Sequence, residues 1–106
     1  MMGFVFRLIP PRPTFALDMT QGERTMMAAH VAYWADLAKD GHALAFGPVA
    51  DPAGPYGIGL VLADDQAGAE AIRDHDPALL ANCGFHTEIA PMLRLVTPQG
   101  SFAADR

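Results

Sequence analysis

Residues 20–41, TQGERTMMAAHVAYWADLAKDG, decide the fold, because both ends and one face of a helix can be read in them. Thr20-Gln21-Gly22-Glu23 has the form of a capping box, in which Thr20 accepts from the Glu23 amide and Glu23 reaches back to the Thr20 amide. Gly41 supplies a left-handed stop, so the spacing predicts a helix to about Lys39. Met27, His30, Val31, Trp34, Leu37 and Ala38 recur at helical intervals and form the expected inward stripe. His30 is the titratable member of that stripe. Imidazole changes charge near neutral pH, and burial or a neighbouring charge tunes it. On an apolar face it is either a core residue bonded to a backbone carbonyl or a reactive group.

Working outward, Phe4–Ile9 reads as a first strand, stopped by Pro10-Pro11-Arg12-Pro13 because proline donates no backbone hydrogen bond and restricts its predecessor. Thr14–Met19 follows as a loop carrying two apolar residues, Phe15 and Leu17. Ala43–Val49 reads as a second strand, interrupted near its end by Gly47-Pro48, and Asp51–Pro55 is turn chemistry that returns the chain as a third strand over Tyr56–Ala63. Asp64 or Asp65 caps a second helix to about Asp74, with a weak stripe of Ala67, Ala71 and Ile72. Pro77 opens a short helical turn through Leu80, the last strand lies within Phe85–Val96, and Thr97–Arg106 is expected to be a tail.

The order β-α-β-β-α-β predicts one α+β domain over residues 1–106, with a core of about 3–96 and a tail of 97–106. It is the split βαβ arrangement of a ferredoxin-like sandwich, a four-stranded antiparallel sheet with two helices on one face. The strands are apolar on both faces: Phe4, Phe6 and Leu8 alternate with Val5 and Ile9, and Ile58, Leu60 and Leu62 alternate with Val61. A sheet with one open face should be polar there, so a homodimer through the sheet is expected.

Composition sets further bounds. A chain of 106 residues that is 51% hydrophobic makes one folded domain with a modest core. A net charge of −5 and scattered basic residues argue against a nucleic-acid partner. Cys83, the single cysteine, excludes an internal disulfide and a multi-thiolate metal site. No leader-like segment and no apolar run near the roughly 18 residues of a membrane span are present, so a soluble cytoplasmic protein without a membrane partner is expected.

A buried imidazole gains chemical significance when a carboxylate holds its tautomer and stabilises its cation. Asp18, Asp51 and Asp76 are the candidates outside the helices. In the expected topology the segment after the second helix lies beside the first, so Asp76 can reach His30; on its own, Asp76-Pro77 reads as a turn or a helix cap. Arg12 could bind an anionic group through its planar fork, with the proline-rich loop as a lid, or pair with Asp18 or Glu23. Phe15 and Trp34 are candidate aromatic pocket walls or core residues, and Tyr33 could lend a hydroxyl. His75 and His86 with Asp76 could ligate a metal, but their spacing fits no standard site, so no metal and no cofactor are expected. His42 reads as a surface residue, Cys83 as a small packed one, and Gly57-Ile58-Gly59 lacks the setting of a phosphate loop.

Ala29-His30-Val31, Gly47-Pro48-Val49, Asp76-Pro77 and Ala90-Pro91-Met92 together resemble the YCII-related proteins, over about residues 3–96. The resemblance implies a small ferredoxin-like domain that dimerises through its sheet as a dimeric α/β barrel. It also implies a pocket whose proposed active centre is a His/Asp pair, here His30 and Asp76. Gly47 and Pro48 join Arg12, Phe15 and Trp34 as candidate substrate contacts. The expected function is cofactor-independent general acid/base chemistry, elimination or hydrolysis, on a small and anionic or aromatic molecule. The alternatives are a non-catalytic dimeric module that binds a small ligand, and a purely structural His30.

Overall fold

A computed structural model describes residues 1–104. Its elements are β1 (Met2–Ile9), α1 (Phe15–Asp18), α2 (Gln21–Lys39), β2 (Ala43–Val49), β3 (Tyr56–Ala63), α3 (Gln66–Asp74), α4 (Pro77–Leu80), β4 (His86–Pro91), β5 (Arg94–Thr97) and β6 (Gly100–Ala103). Four strands form an antiparallel sheet in the order β2-β3-β1-β4. β1 and β2 are therefore parallel with β3 between them, and β3 and β4 are parallel with β1 between them. These two interlocked split βαβ units are compatible with a ferredoxin-like fold. No helix among the described residues is long and apolar enough to cross a membrane.

Local signals place α2. The Thr20 hydroxyl accepts from Glu23 N at 3.1 Å and Glu23 Oε1 accepts from Thr20 N at 2.9 Å, closing both halves of the capping box. At the other end Gly41 has φ +82°, and Gly41 N and His42 N donate to Ala38 O and Leu37 O. That left-handed stop satisfies the last carbonyls of the helix. Pro48 is tolerated within β2 because β2 is an edge strand with no second ladder to complete.

The core lies between the helices and one face of the sheet, around Met2, Phe4, Phe6, Trp34, Val61, Ala63 and Ala69. Across that face Phe46 pairs with Gly59, Gly59 with Phe6, and Phe6 with Ile89. Gly59 thus makes a notch in a row of large side chains, and Trp34 fills it. A Cβ on Gly59 would stand 2.5 Å from the indole. The indole meets Phe6 edge-on at 5.5 Å and leans on Phe46 at 5.9 Å.

The helical faces differ from the expected stripes. On α2, Val31 is half exposed and Ala38 exposed, while Met26 and Tyr33 are partly buried, so the inward face is rotated towards Met26, Met27, His30, Tyr33, Trp34 and Leu37. On α3 the buried contacts are Ala69 and Ile72, whereas Ala67 and Ala71 face solvent. A short helix replaces the loop expected at 14–19, burying Phe15 and leaving Leu17 exposed.

The last strand also differs. Pro91 has no N–H, Met92 N makes the final link to Gly3 O, and the chain leaves the sheet. Residues 94–103 then form the β5–β6 hairpin where the end of the last strand and a tail from Thr97 were expected; positions 105–106 of that tail lie outside the described residues. Leu95 of the hairpin sits on Gly3, where a Cβ would meet it at 2.7 Å. The hairpin thereby covers one end of the second sheet face and buries Leu62. The rest of that face carries Val5, Ile58 and Leu60 beside an Arg7–Glu88 ion pair of 3.0 Å.

The notch yields a direct prediction. Gly59→Ala should force the indole outward and lower stability by roughly 1–3 kcal/mol, the usual cost of overpacking a core. Urea denaturation checks it, and unchanged stability would show that Trp34 does not depend on the notch.

Candidate functional site

α2 places His30 one turn before Trp34, so both side chains leave the same helix face and meet Asp76, the residue that starts α4. Asp76 is 3% exposed. It accepts from His30 Nδ1 at 2.8 and 3.0 Å, from Trp34 Nε1 at 2.9 Å and from Ala78 N at 2.9 Å. A buried carboxylate is tolerable only when N–H donors collect around it, and three do so here. As N-cap it also satisfies the first turn of α4, whose Pro77 needs no partner for a missing N–H.

This geometry assigns the His30 tautomer. An ionised carboxylate only accepts, so Nδ1 carries the hydrogen, and in the neutral ring Nε2 holds the lone pair. Among the described residues no buried side-chain nitrogen or oxygen lacks a hydrogen-bond partner. Nε2 has no protein partner and is therefore accessible, and His30 lines a cavity of about 260 Å³. The arrangement can accept a proton from a bound molecule at Nε2 and hold the resulting imidazolium against Asp76.

The cavity walls come from four places. Met27, Val31 and Trp34 belong to α2; Phe6, Leu8, Phe46 and Gly59 to the other strands of the sheet; Phe15, Ala16 and Met19 to the α1 region; Phe85 and Thr87 flank the first residue of β4. Phe15 and Phe85 meet edge-to-face at 4.9 Å, joining the last two groups. Of the candidate contacts, Phe15, Trp34, Gly47 and Pro48 line this cavity together with His30 and Asp76.

Arg12 does not line it. Its Nε donates to Asp18 Oδ1 at 2.8 Å, Nη1 and Nη2 donate to the two Glu23 oxygens at 2.8 Å, and Nη2 also reaches Asp18 O. The guanidinium is a clamp between α1 and the start of α2, lying 5.2 Å over the Phe15 ring. Hydrogen bonding to Arg12, then to Thr20 N, pulls the Glu23 carboxyl down to about 2. The Thr14 hydroxyl and Arg12 lower Asp18 in the same sense.

Other candidates fall elsewhere. The Tyr33 hydroxyl donates to Ile72 O at 2.7 Å, tying α2 to α3 outside the cavity, and burial followed by the Asp76 charge raises its pKa. His75 Nδ1 donates to Ala71 O, and His42 and His86 are exposed. Among the described residues no group of three His, Cys, Asp or Glu side chains gathers to hold a metal. Cys83 is exposed, not packed as expected. It lies between Asn82, at φ +52°, and Gly84, at φ +103°, in a turn that carries the chain past the core. Phe46, Met19 and Phe85 were missed as wall residues. Phe46 alone carried a signal, as the one aromatic residue of its strand, beside Gly47.

The family model described as YCII-related domain matches residues 3–93 of the chain. No curated protein matches it.

The clamp makes the α1 wall acid-sensitive. Glu23 is depressed from an unfolded value of about 4.3 to about 2. Its contribution is therefore complete above the unfolded value and is lost as pH falls towards the folded one. The Phe15 and Phe85 ring resonances should hold steady at neutral pH and shift together below about pH 4, and Glu23→Gln should shift them already at neutral pH. Rings insensitive to both changes would show that the clamp does not hold α1.

Proposed function

The chain belongs to the YCII-related domain family, and from that premise we propose that it is a small cofactor-independent acid/base catalyst. His30 Nε2 is the general base and then the acid, and Asp76 is the residue that orients the ring. The observation that carries this reading is the paired contact of Asp76 with His30 Nδ1, which leaves Nε2 on the cavity. A substrate C–H or O–H placed against Nε2 gives up its proton, and the imidazolium is stabilised by the buried carboxylate. The electron pair left on the substrate expels a leaving group, and the imidazolium returns its proton to the product or to solvent. Most of the lining side chains are apolar and hold water poorly, which supports proton abstraction and elimination over hydrolysis.

A non-catalytic ligand-binding module is the second reading. It is favoured by the absence, among the described residues lining the cavity, of any Lys, Arg or Cys side chain that could assist a leaving group. A nitrobenzisoxazole separates the two. Its ring opens when the proton on the carbon next to nitrogen is removed and the N–O bond breaks, releasing a coloured phenolate without cofactor or water. Catalysis of this elimination is expected, with a loss in His30→Ala on the order of 100-fold or more. Asp76→Asn should lose at least tenfold. It should also lose about 2 kcal/mol of stability, since an amide turns a donor towards N–H groups that need an acceptor. Wild-type turnover in His30→Ala, measured on protein shown to be folded, would sink the reading.

The same reading includes a homodimer closed over the second sheet face, in the manner of a dimeric α/β barrel, in a cytoplasmic setting. Val5, Ile58 and Leu60 support it, since they share the part of that face the β5–β6 hairpin leaves bare. Light scattering should return twice the 11.3 kDa of one chain, and a single-chain mass would remove the dimer.

A further inference from the structure

The walls of the His30 cavity restrict what can occupy it. Five of the residues that line it are aromatic rings packed on one another, Trp34 with Phe6 and Phe46, and Phe15 with Phe85. Phe15 and Phe85 cross at 86°, and Phe6 and Trp34 at 79°, so the aromatic walls stand in differing planes. Such walls suit a flat ring that can stack on one side and meet an edge on the other. The volume of about 260 Å³ exceeds the roughly 150 Å³ that holds one benzene. It falls short of the roughly 300 Å³ at which drug-sized sites begin. One substituted ring or a small fused pair fits.

Polarity narrows the choice further. The Trp34 N–H is spent on Asp76, and both Asp76 oxygens are engaged. His30 Nε2 is thus the unspent nitrogen of the site, with the hydroxyls of Tyr56 and Thr87 the other polar groups among the described lining residues. No Lys or Arg lines the cavity among them. Arg12, on the flank, has every nitrogen committed to Asp18 and Glu23. Protonating His30 does not create an anion site either, because the imidazolium would sit against the Asp76 charge and the pair would be neutral overall. A carboxylate or phosphate entering here would lose its water without gaining a cationic partner.

We infer that the cavity selects an uncharged, single-ring-sized aromatic molecule carrying one proton donor, which docks on His30 Nε2, and that it rejects carboxylates and phosphates of the same size. The docking point rests on the acid/base reading of His30; the selection against anions rests on the walls alone. This replaces the anionic substrate expected from Arg12 with a neutral one.

Trp34 is the only tryptophan of the chain, so its indole N–H resonance reports the occupancy of this cavity without labelling any other site. Three probes of similar size are titrated at neutral pH: 4-methylphenol, toluene and 4-hydroxybenzoate. The phenol is expected to shift the resonance saturably, with toluene several-fold weaker and the carboxylate at least tenfold weaker. In His30→Ala the phenol should fall to the affinity of toluene, while the carboxylate gains nothing. A carboxylate that binds as tightly as the phenol, toluene that equals the phenol in the native protein, or no shift with any probe would overturn the inference. The titration reads binding, not turnover. The expected order of affinities without elimination activity would remove the acid/base reading and leave the ligand class standing. Elimination activity with the carboxylate bound best would remove the ligand class alone.

Discussion

Burying a carboxyl group in a domain of this size demands that several N–H donors converge on it, and the structure is arranged around that demand at Asp76. α2 contributes two donors from consecutive turns, His30 and Trp34, and α4 contributes the amide of Ala78. The two helices are thereby fixed relative to each other by charge and not only by apolar contact. The same carboxylate decides which ring nitrogen of His30 carries hydrogen. The group that ties α2 to α4 therefore also orients the His30 ring, and a change at Asp76 cannot touch one without the other.

Trp34 carries the constraint from Asp76 to the sheet. Its nitrogen is held by the carboxylate while its ring occupies the gap at Gly59 between Phe6 and Phe46. A side chain at Gly59 would push the indole away and loosen the donor set above it. The result is a largely apolar cavity with the His30–Asp76 pair on its helical side. The opposite wall is held differently: α1 is tied to α2 by ion pairs through Arg12, at the surface, where solvent and pH reach them.

Much of this was legible in the chain. The cap at Thr20, the stop at Gly41, the turn at Asp51–Pro55 and the proline after β1 act within a few residues, and the elements they bound stand where the sequence puts them. The inward face of α2 was displaced by about one residue because the pattern ranks residues by hydropathy alone, whereas Tyr33 turns inward to donate to Ile72 O and Val31 remains at the cavity rim. The β5–β6 hairpin was missed although Pro98-Gln99-Gly100 is turn chemistry, since four-residue strands show too few alternations to be recognised. For Arg12 the sequence allows an anion site or an ion pair, and the choice depends on how near Asp18 and Glu23 fold to it.

The sequence by itself determined the order of elements, their ends, the apolar stripe that carries His30, and a topology in which Asp76 could lie beside it. Those properties follow from backbone hydrogen bonds and side-chain periodicity, which are set by near neighbours in the chain. Only the tertiary structure decided that Trp34 joins His30 on the same carboxylate, that Gly59 makes room for it, that His30 and Asp76 both line an apolar cavity, and that Arg12 is withdrawn from that cavity. Each of these depends on where groups 6 to 46 residues apart in the chain come to rest. A donor that has found its acceptor is no longer available to a ligand, and that competition is resolved only by packing.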